Sequence, residues 1–161
     1  EFHAHYIRQR KAEPGYQPDD STKDWRELSH DFRESNRQET DHIPVKLRAI
    51  GCIRSRGTLP GEVVAEFRDD EIEILAKMEH ARWSAERRLA GWSCASEKNL
   101  QKKLSPYLVS WDELDAVDLR RGDEEGRTKG YDRNAVRKIP DLLEKIRETI
   151  FRQGARGPTS Q

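Results

Sequence analysis

Asp69-Asp70-Glu71-Ile72-Glu73-Ile74-Leu75-Ala76-Lys77-Met78-Glu79-His80-Ala81-Arg82-Trp83-Ser84-Ala85-Glu86-Arg87-Arg88-Leu89-Ala90-Gly91 is the stretch that decides the fold. Ile72, Leu75, Ala76, Glu79, Trp83 and Arg87 recur at helical spacing, acids crowd the first turn, and glycine stands where a helix stops. This predicts a helix from Asp69 to about Ala90, roughly 20 residues long.

Working outward, His3 to Lys11 reads as the end of a helix and Pro14 to Asp20 as loop. A helix is predicted from Asp24, with Trp25, Leu28 and Phe32 on one face. Ile43, Leu47 and Ile50 continue an apolar stripe to Gly51. Beyond the central helix, a short helix is expected from Ser110 to about Leu119 and a long one from about Tyr131 to Phe151, interrupted at Pro140. Only Val63 to Phe67 reads as an arguable strand. The expected fold class is all-α.

Composition bounds the rest. The chain has 161 residues, 30 basic and 30 acidic, so a high charge content of 37% sums to zero. Leu, Ile, Val and Phe make up roughly 19%, beside the ~20% level at which disorder becomes a concern, but disorder also needs net charge. Four tryptophans and four tyrosines supply large burial units, so the reading is a folded domain with a thin core. A balanced charge argues against a general nucleic-acid binder. No apolar run approaches ~18 residues, so no membrane insertion by this segment is expected. Cys52 and Cys94 lack any paired spacing, which suits a reducing, cytoplasmic setting. The first residues, Glu1-Phe2-His3, read as part of a larger parent protein.

The chain also repeats itself. His3-x-x-Tyr6-x-x-x-Arg10, Trp25-x-Glu27-Leu28, Asn36-Arg37 and Ile43-Pro44-x-x-Leu47 are followed, in the same order, by His80-x-x-Trp83-x-x-x-Arg87, Trp111-x-Glu113-Leu114, Asp132-Arg133 and Ile139-Pro140-x-x-Leu143. The offsets are 77, 86, 96 and 96, so both insertions fall in polar stretches. Two thin units of this kind are expected to pack face to face as one pseudo-two-fold domain. The expected boundaries are 1–53 for the first unit, 54–61 for a linker, 62–151 for the second unit and 152–161 for a flexible tail.

At this point the residues resemble a known family. His80-Ala81-Arg82-Trp83-Ser84-Ala85-Glu86-Arg87 with Gly91-Trp92, then Ser105-Pro106-Tyr107-Leu108-Val109-Ser110-Trp111-x-x-Leu114, resemble the core of the RyR repeat, named for ryanodine receptors. Ser35-Asn36-Arg37 and Lys46-Leu47-Arg48-Ala49-Ile50-Gly51-Cys52 resemble its closing motifs. The likeness covers about residues 3 to 149. Ser105 replaces a usual histidine, Asp132 replaces asparagine, and the first unit lacks the usual start. The resemblance, to a prokaryotic or phage-type member, implies tandem helical repeats forming a sensory or regulatory module rather than an enzyme. It also implies an adenine-nucleotide-like ligand without any fixed cofactor.

The residues support a compatible chemistry. His80, Trp83 and Arg87 share a helix face, and an indole with a guanidinium suits base and phosphate. The candidate ligand-binding set is Trp83, Arg87, Trp92, Trp111, Trp25, Tyr6, Arg37, Asn36, Arg133 and His80. Each has a plainer reading: the tryptophans as core, Arg37 and Arg133 as partners of Glu27 and Glu113, and His80 as a partner of Glu79 or a cap for a buried carbonyl. His3-x-His5 could hold a metal weakly or be a frayed end. No nucleophile elbow, P-loop or dinucleotide fingerprint is present, and Glu79, Glu86 and Glu113 have no partner for general-base work. The expected partners are therefore a small anionic ligand and other domains of the parent; the alternative is a protein-protein interaction module.

Overall fold

The computed structural model describes residues 2–12 and 15–154. It is mainly α-helical. In chain order the elements are α1 (Phe2–Lys11), α2 (His30–Asp41), α3 (Ile43–Ala49), β1 (Cys52–Ser55), β2 (Glu62–Val63), α4 (Asp69–Leu89), β3 (Ser93–Cys94), β4 (Leu104–Ser105), α5 (Leu114–Arg120), α6 (Arg127–Arg137), α7 (Ile139–Lys145) and β5 (Thr149–Arg152). Single 3-10 turns lie at Asp20–Thr22 and Trp111–Glu113.

The long helix forms where its sequence places it. Asp69, Asp70 and Glu71 sit at the positive end of the helix dipole, and Glu71 accepts the Arg68 N–H at 2.9 Å. At the other end Gly91 turns left-handed at φ +83, and the Trp92 and Gly91 N–H groups donate to the Arg87 and Arg88 carbonyls. This closes the helix and fixes Trp92 beside the Arg87 turn. Ile72, Leu75 and Ala76 are buried on its inner face.

Around α4 a single core gathers Ile43, Leu47 and Cys52 from before the 54–61 stretch with Val136, Ile139, Leu143 and Ile150 from the far end of the chain. α4 runs along α6 and crosses α2 and α3, while α1 lies against α6. Asp118 on α5 sets the start of α6 by accepting the Thr128 N–H at 2.9 Å.

Three expectations change. The helix expected from Asp24 begins instead at His30, because Ser29 accepts the Phe32 N–H as N-cap while Asp24 to Leu28 forms a turn. The last long helix is two helices and a strand. Pro140 stands in the first turn of a new helix, and Arg147 at φ +60 ends it. A three-stranded antiparallel sheet, order β1-β5-β2, then forms with Ile53 opposite Phe151 and Val63 opposite the same residue. The expected boundary at 54–61 thus carries part of β1 and leads into β2. Gly61 is required there: a side chain would meet the Arg152 carbonyl oxygen at 2.3 Å.

Of the tail expected at 152–161, Arg152 is the last residue of β5, and 155–161 lie outside the described residues. No helix among the described residues is long and apolar enough to cross a membrane.

Candidate functional site

His80 is buried on α4, and its two ring nitrogens have different tasks. Nε2 lies 2.9 Å from the Val109 carbonyl oxygen, and Nδ1 lies 3.6 Å from Asp132 Oδ2 on α6. Burial opposes the imidazolium, but the bonds to Asp132 and Val109 outweigh it and hold His80 above the ordinary range. Burial pushes Asp132 up to about 6, despite His80. The His80 ring lies against Trp83 at 5.8 Å and Trp111 at 5.9 Å.

A second histidine repeats this arrangement. His3 Nε2 on α1 meets the Lys23 carbonyl oxygen at 2.7 Å, and its ring lies 6.1 Å from Trp25 at 58°; the His80 and Trp111 rings meet at 60°. In both cases the carbonyl belongs to the residue two before the tryptophan. The ring nitrogen of His3 is thereby spent on the backbone rather than on a chelate with His5. Among the described residues no cluster of three or more His, Cys, Asp or Glu side chains is placed to hold a metal ion.

One turn along α4 from Trp83 stands Arg87, only 6% exposed. Its guanidinium carbon lies 5.1 Å from the Phe32 ring centre, 5.1 Å from Trp92 and 6.0 Å from Trp83. The nearest carboxylate is Glu86, at 3.9 Å. Among the described residues nothing accepts a hydrogen bond from this guanidinium. Burial lowers the Arg87 pKa below the ordinary arginine value, the signature of a cation whose environment undersupplies negative charge.

Tyr6 on α1 is close enough to bear on Arg87 electrostatically and joins a second group of the same kind. The Tyr6 ring lies 6.3 Å from Tyr131, Arg10 Nη1 donates to the Tyr131 hydroxyl at 3.4 Å, and Arg10 stands 5.9 Å from the Tyr16 ring. The candidate site is therefore two aromatic groups, each built around an arginine: Trp83, Arg87, Trp92 and Phe32, with His80 against Trp83, and Tyr6, Tyr131, Arg10 and Tyr16, the two linked by the electrostatic effect of Tyr6 on Arg87.

The remaining predicted residues lie elsewhere. Arg133 donates to Glu73 at 2.8 and 3.2 Å, and Trp111 Nε1 donates to the same carboxylate at 3.2 Å. Lys129 and Arg133 each stand over the Trp111 ring, at 5.5 and 5.6 Å, and this half-buried tryptophan packs against the core. Arg37 is exposed and pairs with Glu34 at 3.5 Å. Thus Glu73 and Glu34, not Glu113 and Glu27, are the partners. Asn36 donates to the Phe32 carbonyl at 2.8 Å, tying down the turn that presents Phe32, and Trp25 is 41% exposed beside His3.

Phe32, Tyr16, Tyr131 and Arg10 are absent from the sequence-derived set. Arg10 was findable, since the 77-residue offset maps it onto Arg87; the three rings are brought in by tertiary packing alone.

One turn before Trp83 on α4, Glu79 meets Lys46, itself 1% exposed, at 2.6 Å, and Arg82 holds Glu79 at 2.7 Å. Although burial raises it, Lys46 and then Arg82 bring Glu79 below the ordinary range, which leaves it unsuited to act as a base near neutrality. Glu86 accepts from Ser35 at 2.5 Å.

No family model, curated protein or solved structure matches the chain.

Proposed function

We propose that the chain is a tandem pair of RyR-type helical repeats acting as a regulatory ligand-binding module, which takes a nucleotide or nucleotide-derived anion in the cleft between its halves. Support for the repeat comes from paired features that recur in the same order. α3 and α7 are each seven residues long, start with Ile-Pro and lie 96 residues apart, and each ends in a residue of positive φ, Gly51 or Arg147, followed by a strand. The two histidine-carbonyl-tryptophan arms agree in the same way.

One observation carries the ligand reading: the buried Arg87 guanidinium, walled by three aromatic rings and with no hydrogen-bond acceptor among the described residues. An anionic oxygen would satisfy it, and an indole face offers a surface for a base. A charge-assisted bond contributes about 1.5–3 kcal/mol and a stacked base about 1–3 kcal/mol, enough together for micromolar binding.

Isothermal titration against adenine nucleotides and cyclic or NAD-derived messengers tests this. We expect at least one ligand to bind and Arg87→Ala or Trp92→Ala to weaken it tenfold or more; silence across the panel sinks the reading.

A second reading has its own observation. Ile74 and Leu89 are 45% and 90% exposed on the outer face of α4, and Met78, Ala81 and Ala85 line an open groove of about 430 Å³ between them. That face suits a protein partner, and co-purification with the parent's other domains, lost in Leu89→Glu, would favour it.

A further inference from the structure

The outer face of α4 carries an ordered line of apolar residues. Ile74, Met78, Ala81 and Ala85 fall at spacings of four, three and four, which sets them one above another along the helix. Ile74, Ala81 and Ala85 are exposed, and Met78 is half-buried against the core. The groove beside this line is walled on its far side by Gln38 and His42 at the end of α2, and its two ionic lining residues, Arg82 and Glu86, stand 3.5 Å apart as an ion pair. An occupant of this face therefore meets methyl and thioether surface, with charge only at the two ends of the line.

We propose, resting on the reading of this face as a protein-contact surface, that its occupant is a second copy of the same chain, with the two α4 helices antiparallel about a two-fold axis level with Glu79 and His80.

The order of large and small residues selects this partner. Run in opposite directions, two such lines set Ile74 against Ala85 of the second copy and Met78 against Ala81 of the second copy, and symmetry repeats both layers. Each long side chain then fills the room that an alanine leaves. A parallel pair would instead stack isoleucine on isoleucine and alanine on alanine, crowding some layers and hollowing others. Charge agrees with the antiparallel order. Asp70 and Arg88 lie 18 residues apart, about five helical turns, and so share one flank of the line. The same register brings Asp70 of each copy beside Arg88 of the other. Within one chain Asp70 is 72% exposed and meets Arg68 at 3.6 Å, while Arg88 donates to the Leu108 carbonyl at 3.1 Å and has no carboxylate partner among the described residues. Lys77, on that flank, is exposed, and its own copy stands about 7 Å farther along the axis, so both ammonium groups stay in water. The four layers span about 16 Å of helix, short of what a standard interface of roughly 800 Å² per partner needs, so the pair is reversible.

The test is sedimentation velocity of the full chain from about 10 to 500 μM, with thermal melts to check that each variant folds. We expect the mass to rise toward two chains with concentration, and Ala81→Glu, at an exposed site, to weaken association at least tenfold. Asp70→Arg and Arg88→Asp should each weaken it several-fold, and the double variant Asp70→Arg/Arg88→Asp should restore it, which a folding defect would not do. In a Cys94→Ser background, Ile74→Cys and Ala85→Cys chains mixed and oxidised with copper-phenanthroline should cross-link. Neither should do so alone, because each position stands about 16 Å from its own copy. The proposal is overturned if the chain stays monomeric throughout, if the charge swap fails to restore association, or if either cysteine variant cross-links by itself. A monomer that co-purifies with the parent's other domains and loses them in Leu89→Glu overturns the second copy and keeps the face as a contact surface; a monomer without such partners overturns both.

Discussion

The two histidine arms use the same three parts, yet only one is sealed. His80 bridges Val109 to Asp132, and its tryptophan is pinned by Glu73, Arg133 and Lys129. Among the described residues His3 bonds Lys23 alone, and its tryptophan remains 41% exposed. The helices that carry them differ accordingly, ten residues in α1 against 21 in α4. The comparison shows that a sequence pattern sets which atoms meet, whereas the number of surrounding elements sets how much each meeting contributes.

The largest expected effect lies where the halves differ most. Lys46 is buried against Glu79, while the position 96 residues on is Leu142. Removing one member of a buried ion pair costs about 3–5 kcal/mol. With Arg82 still on Glu79, Lys46→Met should cost about 3 kcal/mol by urea denaturation, and Leu142→Lys, beside a groove, under about 1 kcal/mol. Equal losses would erase the distinction.

Next come the arms themselves. His80→Ala leaves Asp132 buried without its partner and should cost about 2–3 kcal/mol, against about 1 kcal/mol for His3→Ala.

The pH dependence tests the same asymmetry from the acid side. Burial and then the Glu79 charge push Glu39 up to about 8. Its folded pKa is therefore raised, so the folded state holds a proton that the unfolded state has released, and this group's contribution falls as pH rises from about 4.5 to about 8. Thermal melts of Glu39→Gln should match the parent near pH 4 and exceed it increasingly toward pH 8. A parallel course would discount the burial of Glu39.

The smallest effect concerns the helix ends. Gly51 and Arg147 both sit at positive φ, +68 and +60, but only one is glycine. Arg147→Gly should gain about 0.5 kcal/mol, and Gly51→Ala should lose about 1 kcal/mol.

Much of this was legible in the residues. The Asp69–Leu89 helix is written in its own period, acids and terminal glycine, and the spacing of His80, Trp83 and Arg87 puts them on one helix face. Four-residue strands such as Cys52–Ser55 and Thr149–Arg152 are too short for alternation to separate them from helix ends, and each is specified by its partner across the sheet. The Arg133–Glu73 pair joins residues 60 apart in sequence, so no local pattern announces it. Likewise, Phe32 reaches Arg87 only because α2 crosses α4.

β5 lies between β1 and β2 in the sheet. During synthesis both outer strands therefore emerge long before the strand that joins them, and the sheet closes only once residues 149–152 have been made. Pairing across nearly a hundred residues carries a large loop-closure entropy, so this seam should be the last part of the fold to form and the first to open under load.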